Sequence, residues 1–334
     1  IVQQLASWPL ASVTVSPTSA RYWLLAATAF AGAIWFWRRR SASSSLPWQR
    51  VSARGPDMAI LSISLATAVL VWLAVLQLPD GKLHVAFLNV GQGDAILITT
   101  PRGRQILIDG GPSPGALTSA LGQQMPFWDR SLDLVLMTHP DADHIGGLVE
   151  VLGRFRVGAW LDAGYDGQDP LYLACEERLQ HTKTVRYTVK TGDRLELERG
   201  LFLEVLHPPG AQSGSNNDSV VLRLIWRETS FLFTGDLEAE GERRLLTSGQ
   251  PLAAEVLKVA HHGSDGSSTA EFLQAVGPRY AVLSVGAGNR FGHPQQELLE
   301  RLDALDHATI LRTDLHGTVE FIADGRLLSL RLQK

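Results

Sequence analysis

Apolar and polar positions fall into two regimes along the chain. Up to about residue 80 the apolar runs are long and unbroken. Tyr22–Trp37 holds sixteen uncharged, mostly apolar residues, and Met58–Leu78 holds twenty-one. A hydrocarbon core of about 30 Å is crossed by about 20 helical residues. The second run therefore predicts a membrane-spanning helix at 58–78. The first, slightly short, predicts another at 22–38, its bordering arginines and tryptophans suited to the interfaces. Two buried core helices are the other reading, although no charge interrupts either run. The loop "RRRSASSSLPWQRVSARGPD" between them carries five arginines against one aspartate, Asp57. By the positive-inside rule this loop is cytoplasmic, and both ends of the chain lie outside the cytoplasm.

After "LPDGK" the pattern changes to short runs rich in Val, Ile and Leu, punctuated by Gly, Pro and Asp. Such runs read as strands. "LHVAFLNVG", "AILITT" and "QILIDGG" predict an antiparallel meander, and "LDLVLMTH" a buried strand. "FLEVLHP", "SVVLRLIW" and "SFLFTGD" form a second set. "EVLKVAHHGS", helical "STAEFLQAVG", strand "YAVLSVGAG" and helical "PQQELLERLDAL" alternate. "TILRTD", "GTVEFIA" and "RLLSLRLQ" close the chain as strands. Two sets of strands with interspersed helices predict an α/β fold of two sheets with helices outside. The expected division is a membrane segment over 1–80 and a single soluble domain over 83–334.

Charge sharpens this division. The net charge of −4 splits into +4 over residues 1–80 and −8 over the rest. A net-negative domain needs a local basic patch or bound cations before it can hold a polyanion such as nucleic acid. A single cysteine, Cys175, excludes an intrachain disulfide and a cysteine-based zinc site. No signal-peptide pattern opens the chain. It begins at Ile1 rather than Met, so an upstream membrane domain of the same polypeptide is expected. The cations from Arg154 to Arg194 are scattered among acids and read as a solvated face.

The densest chemistry is "THPDADHIGG", which gathers His139, Asp141, Asp143 and His144 just after an apolar strand. Imidazole and carboxylate are ligands for divalent transition metals, and four such groups within six residues suit two adjacent ions. The glycines of "IGG" would let the backbone bend and start a helix. Other strands also end in polar groups: Asp109 in "LIDGG", Asp236 in "FTGD", and His261 and His262 in "KVAHHGS". Loops at strand ends on a rigid sheet are where sites are built.

This ordered set resembles the metallo-β-lactamase superfamily. With "NVGQGDAILI", "SNNDSVVL", "LKVAHHGS" and "SVGAGNRFGHP" it is similar to the C-terminal nuclease-like domain of ComEC-like competence channel proteins. The resemblance covers essentially all of 83–334, with the membrane helices in context. It implies an αββα sandwich with a two-metal site along one sheet edge, and transport of single-stranded DNA. It further implies His139 and Asp141 as ligands of the first metal. Asp143, His144 and either His261 or His262 are implied for the second, with Asp236 as the bridging carboxylate. Asp109 would orient a ligand histidine. The choice between His261 and His262 stays open, since adjacent residues at a strand end point in different directions.

Two departures from the superfamily pattern matter. Asp141 stands where a second histidine is usual, and "GSNNDSVVL" offers Asn216, Asn217 and Ser219 where another histidine is usual. More oxygen donors favour Mn²⁺ or Mg²⁺, with Zn²⁺ still possible. They also count against β-lactam hydrolysis.

Lys258 reads either as a phosphate contact or as a solvent-facing lysine. His293, with Asn289 and Arg290 beside it, suits a substrate role or loop packing. Gln92 and Asp94 sit in a tight turn that approaches either ligand or the neighbouring sheet. The resulting expectation is a multi-pass protein of the inner or plasma membrane, part of a DNA-uptake machinery. Its extracytoplasmic domain would hydrolyse phosphodiester bonds of the non-transported strand, with single- or double-stranded DNA as partner. Two divalent ions could stabilise both oxygens of that displacement, with Asp143, His261, Lys258 and His293 as candidate catalytic groups. The alternatives are a small-substrate or cell-wall phosphodiesterase and a catalytically weak DNA-guiding module.

Overall fold

The computed structural model describes residues 3, 4, 32, 62–70, 72, 78–211 and 213–334. The chain divides into two compact units, Pro9–Asp80 and Gly81–Lys334, the latter with Ile1–Trp8. The helix expected over 22–38 lies outside the described residues, Gly32 apart. Within 58–78, residues 62–70 and 72 are helical, and Ile63, Leu65, Val69, Leu70 and Trp72 are exposed. No helix among the described residues is long and apolar enough to cross a membrane.

In chain order the large unit begins with a short strand β1 (Gln3–Gln4), then β2 (Leu83–Phe87), β3 (Ile96–Thr99), β4 (Gln105–Ile108), helix α1 (Pro114–Gln124) and β5 (Ser131–Leu136). Next come α2 (Ala142–Ile145), α3 (Leu148–Arg154), β6 (Arg156–Asp162), α4 (Pro170–Gln180) and β7 (Val185–Thr188). β8 (Arg194–Glu198), β9 (Leu201–His207), β10 (Val221–Trp226) and β11 (Thr229–Phe233) lead to α5 (Ala239–Thr247), β12 (Val256–Lys258), α6 (Ala270–Val276) and β13 (Tyr280–Leu283). The chain closes with α7 (Gln296–Asp303), β14 (Thr309–Arg312), α8 (Thr313–His316), β15 (Thr318–Ala323) and β16 (Leu328–Gln333).

Two eight-stranded sheets result, ordered β16-β15-β2-β3-β4-β5-β6-β7 and β1-β8-β9-β10-β11-β12-β13-β14. The expected meander β2–β3–β4 is antiparallel. β4 to β7 run parallel, as do β11 to β14. Alternate residues pack on opposite faces of each strand. Leu83, Val85 and Phe87 join Leu203, Val205, Phe231 and Phe233 in the core between the sheets. Ala86, Leu88 and Val90 point the other way, under α1, α3 and α4. The second sheet likewise packs Leu232, Leu257 and Leu283 against α5, α6 and α7. Strands buried on both faces read as nearly continuous apolar runs, which is how these appear in the sequence. The architecture is the αββα sandwich. Its parallel strands place their C-terminal ends along one edge, where loops from several strands can converge.

The sequence reading passes over four elements between residues 112 and 193. α1, with Ser113 as N-cap and Pro114 in its first turn, and α4, with Asp169 and Pro170 in the same places, carry recognisable start signals. β6 buries Val157, Ala159, Trp160 and Leu161, and β7 pairs along its outer side. The cations Arg154, Arg156, Arg178, Lys183, Arg186, Lys190 and Arg194 are all exposed, as a solvated face requires.

The expected role of "IGG" needs correction. Gly146 and Gly147 have ordinary right-handed helical backbones. Their glycine character is steric, because a Cβ on Gly147 would lie 2.2 Å from the Gly110 carbonyl oxygen. Gly147→Ala should therefore cost about 1–3 kcal/mol through overpacking. Equilibrium unfolding in denaturant checks this; a midpoint equal to that of the parent would contradict it.

Candidate metal centre

Each functional side chain leaves the C-terminal end of a strand. β4 delivers Asp109, β5 delivers His139 to His144, β11 delivers Asp236, and β12 delivers His261 and His262. Asp109 itself is left-handed, with φ 58°. In this conformation the carboxylate turns back under the next loop. The Thr138 amide donates to its Oδ1 at 2.8 Å, and the Thr138 hydroxyl to its Oδ2 at 2.6 Å. His144 Nδ1–H donates to the same Oδ2 at 2.8 Å. His139 Nδ1 lies 3.1 Å from the Thr138 hydroxyl oxygen, which has already given its proton away. Asp109 thus orients two imidazoles, one directly and one through Thr138, and leaves both Nε2 atoms facing the centre.

His262 is set by a different device. Its Nδ1–H donates to the Ser284 carbonyl at 2.9 Å, so its Nε2 faces Asp143 Oδ2 at 3.3 Å and Asp236 Oδ2 at 3.4 Å. Asp236 is central. Its Oδ1 is 3.2 Å from His144 Nε2, and its Oδ2 is 3.9 Å from His139 Nε2 and 3.8 Å from His261 Nε2. The Asp236 amide donates to Ser219 Oγ at 3.2 Å, which gives the expected Ser219 a positioning task. Asp141 Oδ2 stands 3.7 Å from His139 Nε2, with nearly half of its side chain exposed.

The tandem histidines are placed differently. Both are left-handed, with φ 50° and 53°. Two successive non-glycine residues in that region store backbone strain. His262 is buried and belongs to the groups whose donor atoms lie within 4.8 Å of one another. His261 is half-buried at the rim, its Nδ1 3.4 Å from Glu238 Oε1. Asn216 and Asn217 act through that same carboxylate. Their amides reach Glu238 at 3.2 and 3.5 Å, and Asn217 Oδ1 accepts from the Gly241 amide at 2.8 Å. Glu238 escapes the sequence reading, although it stands two residues after Asp236 in "TGDLE".

Lys258 differs from both readings made of it. It is fully buried, so it faces neither solvent nor an incoming phosphate. Its ammonium pairs with Asp94, stands 3.6 Å from Asp236 Oδ1 and donates to the Gly235 carbonyl at 2.8 Å. Burial alone would lower its pKa, and Asp94 and Asp236 outweigh that and raise it. Asp94 in turn lies 3.8 Å from His144 Nδ1 and 3.6 Å from His262 Nδ1. Its turn packs against protein: a Cβ on Gly93 would meet the Asp143 carbonyl oxygen, and Gln92 Oε1 accepts from the Gly286 amide at 3.2 Å. Asn289 is also committed to structure. Its amide donates to the Gly286 and His293 carbonyls, and its oxygen accepts from the amides of Phe291 and His293. His293 stands at the rim with its ring centroid 5.7 Å from that of His261.

The electrostatics describe a centre built for cations. Burial pushes the carboxyls of Asp143 and Asp236 up, but the neighbouring His262 and His144 outweigh it and hold both well below the usual carboxylate range. Burial lowers His144 and His262, yet Asp236 with Asp109 raises the first well above its ordinary value. Asp236 with Asp94 raises the second to about 9. Burial, then repulsion from His261 and His262, lowers His293. Asp94, Asp109, Asp141, Asp143 and Asp236 meet one lysine and the two raised imidazoles, His144 and His262, so negative charge remains in surplus. The Nε2 atoms of His139, His144 and His262 and Oδ1 of Asp236 are buried without a hydrogen-bond partner. Buried polar atoms are rarely left so, and a pair of divalent ions would satisfy all four.

The chain belongs to the metallo-beta-lactamase superfamily, whose family model matches residues 88–287. It is 32% identical over 263 residues to ComE operon protein 3 of Bacillus subtilis, covering 73% of this chain and 33% of that protein. It is also 32% identical to Competence protein ComA of Neisseria gonorrhoeae over 76% of this chain and 34% of that one. The chain thus spans about a third of the length of these curated relatives. The metallo-beta-lactamase fold protein YhfI from Bacillus subtilis, a solved structure, is 13% identical with a TM-score of 0.49, over 72% of this chain and 100% of that one.

Two outcomes test the support beneath the centre. Lys258→Met strands Asp94 in the interior and should cost about 3–5 kcal/mol of stability. The double variant with Asp94→Asn should recover part of that in a double-mutant cycle; strict additivity would break the pairing. Asp109→Asn should weaken binding of Mn²⁺ to metal-stripped protein by about 10–100-fold, as read by calorimetric titration.

Proposed function

We propose that this domain is a metal-dependent phosphodiesterase acting on DNA, the nuclease domain of a membrane-anchored competence protein. The observation that carries the reading is the convergence of three unpartnered imidazole nitrogens on the buried Asp236 carboxylate. His139, Asp141 and Asp236 would hold one divalent ion, and Asp143, His144, His262 and Asp236 the other. The mixed nitrogen and oxygen donor set favours Mn²⁺, with Zn²⁺ the alternative. Two ions bound there supply Lewis-acid charge at a phosphate and lower the pKa of water.

The protein groups around them have separable tasks. Asp143, held anionic and partly open to solvent, orients the attacking water. His261, on the rim between Asp236 and Glu238, faces the substrate and can donate a hydrogen bond to a phosphate oxygen or leaving group. Lys258 neutralises Asp94 under the floor and keeps that loop in register. Ions held by these residues would also offset the charge of a domain at −8 where a phosphate could bind.

The names of the matching competence proteins support a role in DNA uptake. The apolar segments before residue 80 support a membrane anchor with the domain on the extracytoplasmic side. Hydrolysis of the non-transported strand follows from joining these two readings.

The test is release of nucleotides from DNA by metal-stripped protein resupplied with Mn²⁺. Release should be lost in Asp143→Ala and Asp236→Ala, and in chelator. A parent protein that binds two ions yet leaves DNA intact would favour the guiding module. Cleavage of small phosphodiesters alone would favour the cell-wall or small-substrate enzyme.

A further inference from the structure

The loop after β13 extends the tandem histidines by two rings, His293 and Phe291, that the phosphodiesterase chemistry does not use. His262, inside the centre, has its ring centroid 6.2 Å from that of His261. His261 is followed by His293 at 5.7 Å, edge to face. Phe291 stacks on His293 at 5.8 Å with an interplanar angle of 26°. The Arg290 guanidinium lies over the Phe291 ring at 4.9 Å. Phe291 is 49% exposed. The loop is fixed by the four hydrogen bonds of Asn289. It is fixed also by the Gln295 amide donating to the Gly263 carbonyl at 2.9 Å, directly behind the tandem histidines.

We propose that Phe291, backed by His293, is a stacking platform for a nucleobase of a strand whose phosphate occupies the metal centre. This rests on the phosphodiesterase reading and names its substrate class: single-stranded or locally unpaired DNA. Every base offers a π-face, so such a platform holds a strand without selecting its sequence. It answers a need specific to this domain. Proteins that hold single strands usually track the backbone with a basic groove, and at −8 this domain has a surplus of acids instead. With phosphate affinity concentrated at the ions, stacking is the remaining general way to hold the adjacent nucleotide. Arg290, exposed above the ring, is a cap that an arriving base displaces, which frees the guanidinium for a phosphate.

The experiment compares two probes on the full chain. One is a fluorescein-labelled single-stranded oligodeoxynucleotide, the other an abasic deoxyribose-phosphate strand of equal length. Binding is measured by anisotropy in Mn²⁺ on phosphorothioate versions of both strands, which resist hydrolysis, and hydrolysis on the unmodified strands. Phe291→Ala should weaken binding of the base-bearing strand by roughly tenfold and raise its KM more than it lowers kcat. The abasic strand should change by at most about twofold, and Phe291→Trp should restore affinity. Equal losses on both probes, or no loss on either with the melting temperature unchanged, overturn the platform. Preferential loss on the base-bearing strand without any Mn²⁺-dependent hydrolysis by the parent protein upholds the platform and sinks the nuclease reading. A parent protein that binds neither strand overturns both.

Discussion

A carboxylate removed from water must find a cation or give up its charge. The edge of this sandwich buries Asp94, Asp109 and Asp236 within reach of one another and sets Asp141 and Asp143 at the mouth. One lysine answers them, with the raised imidazoles of His144 and His262 beside it. The arrangement is tolerable because Asp109 is saturated by Thr138 and His144, and Asp94 is held by Lys258. The remaining deficit is concentrated at Asp236, among imidazoles whose second nitrogens are tied off. The donor atoms gathered at that point could hold metal.

The sandwich makes this convergence possible. β4, β5, β11 and β12 belong to two different sheets, yet their C-terminal ends meet along one edge. The loops leaving them are locked to one another by backbone contacts. Gly147 donates to Gly111, Asp94 to Asp143, and His261 to Gly235. Close approaches at Gly93 and Gly147 leave no room for a side chain. The left-handed residues Asp109, His261 and His262 are strained conformations that such packing holds in place. Rigid support of this kind keeps the side-chain atoms of the site near a fixed geometry.

Much of this was legible in the chain because the site residues follow directly on apolar strands. A run such as "LDLVLMTH" or "SFLFTGD" announces both the strand and the polar group at its tip. Two sheets with helices outside followed from two strand sets with interspersed helices, and the αββα sandwich from the family resemblance. Lys258 was misjudged because alternation along one strand says nothing about a second sheet face covered by helices. β12 lies between β11 and β13 with both faces buried, so a lysine there is interior. α1 and α4 were passed over although Ser113–Pro114 and Asp169–Pro170 mark their starts, because their apolar faces are short. His261 and His262 could not be told apart because their backbones leave the strand conformation altogether. Glu238 and the Ser284 carbonyl matter only through distances that cross between loops.

The central claim is that Asp236 lies between two divalent ions. Crystals of the protein soaked in Mn²⁺ and recorded near the manganese edge test it directly. The account predicts two anomalous peaks flanking the Asp236 carboxylate, one toward His139 and Asp141, the other toward Asp143 and His262. Strong peaks elsewhere with none at that carboxylate would contradict it.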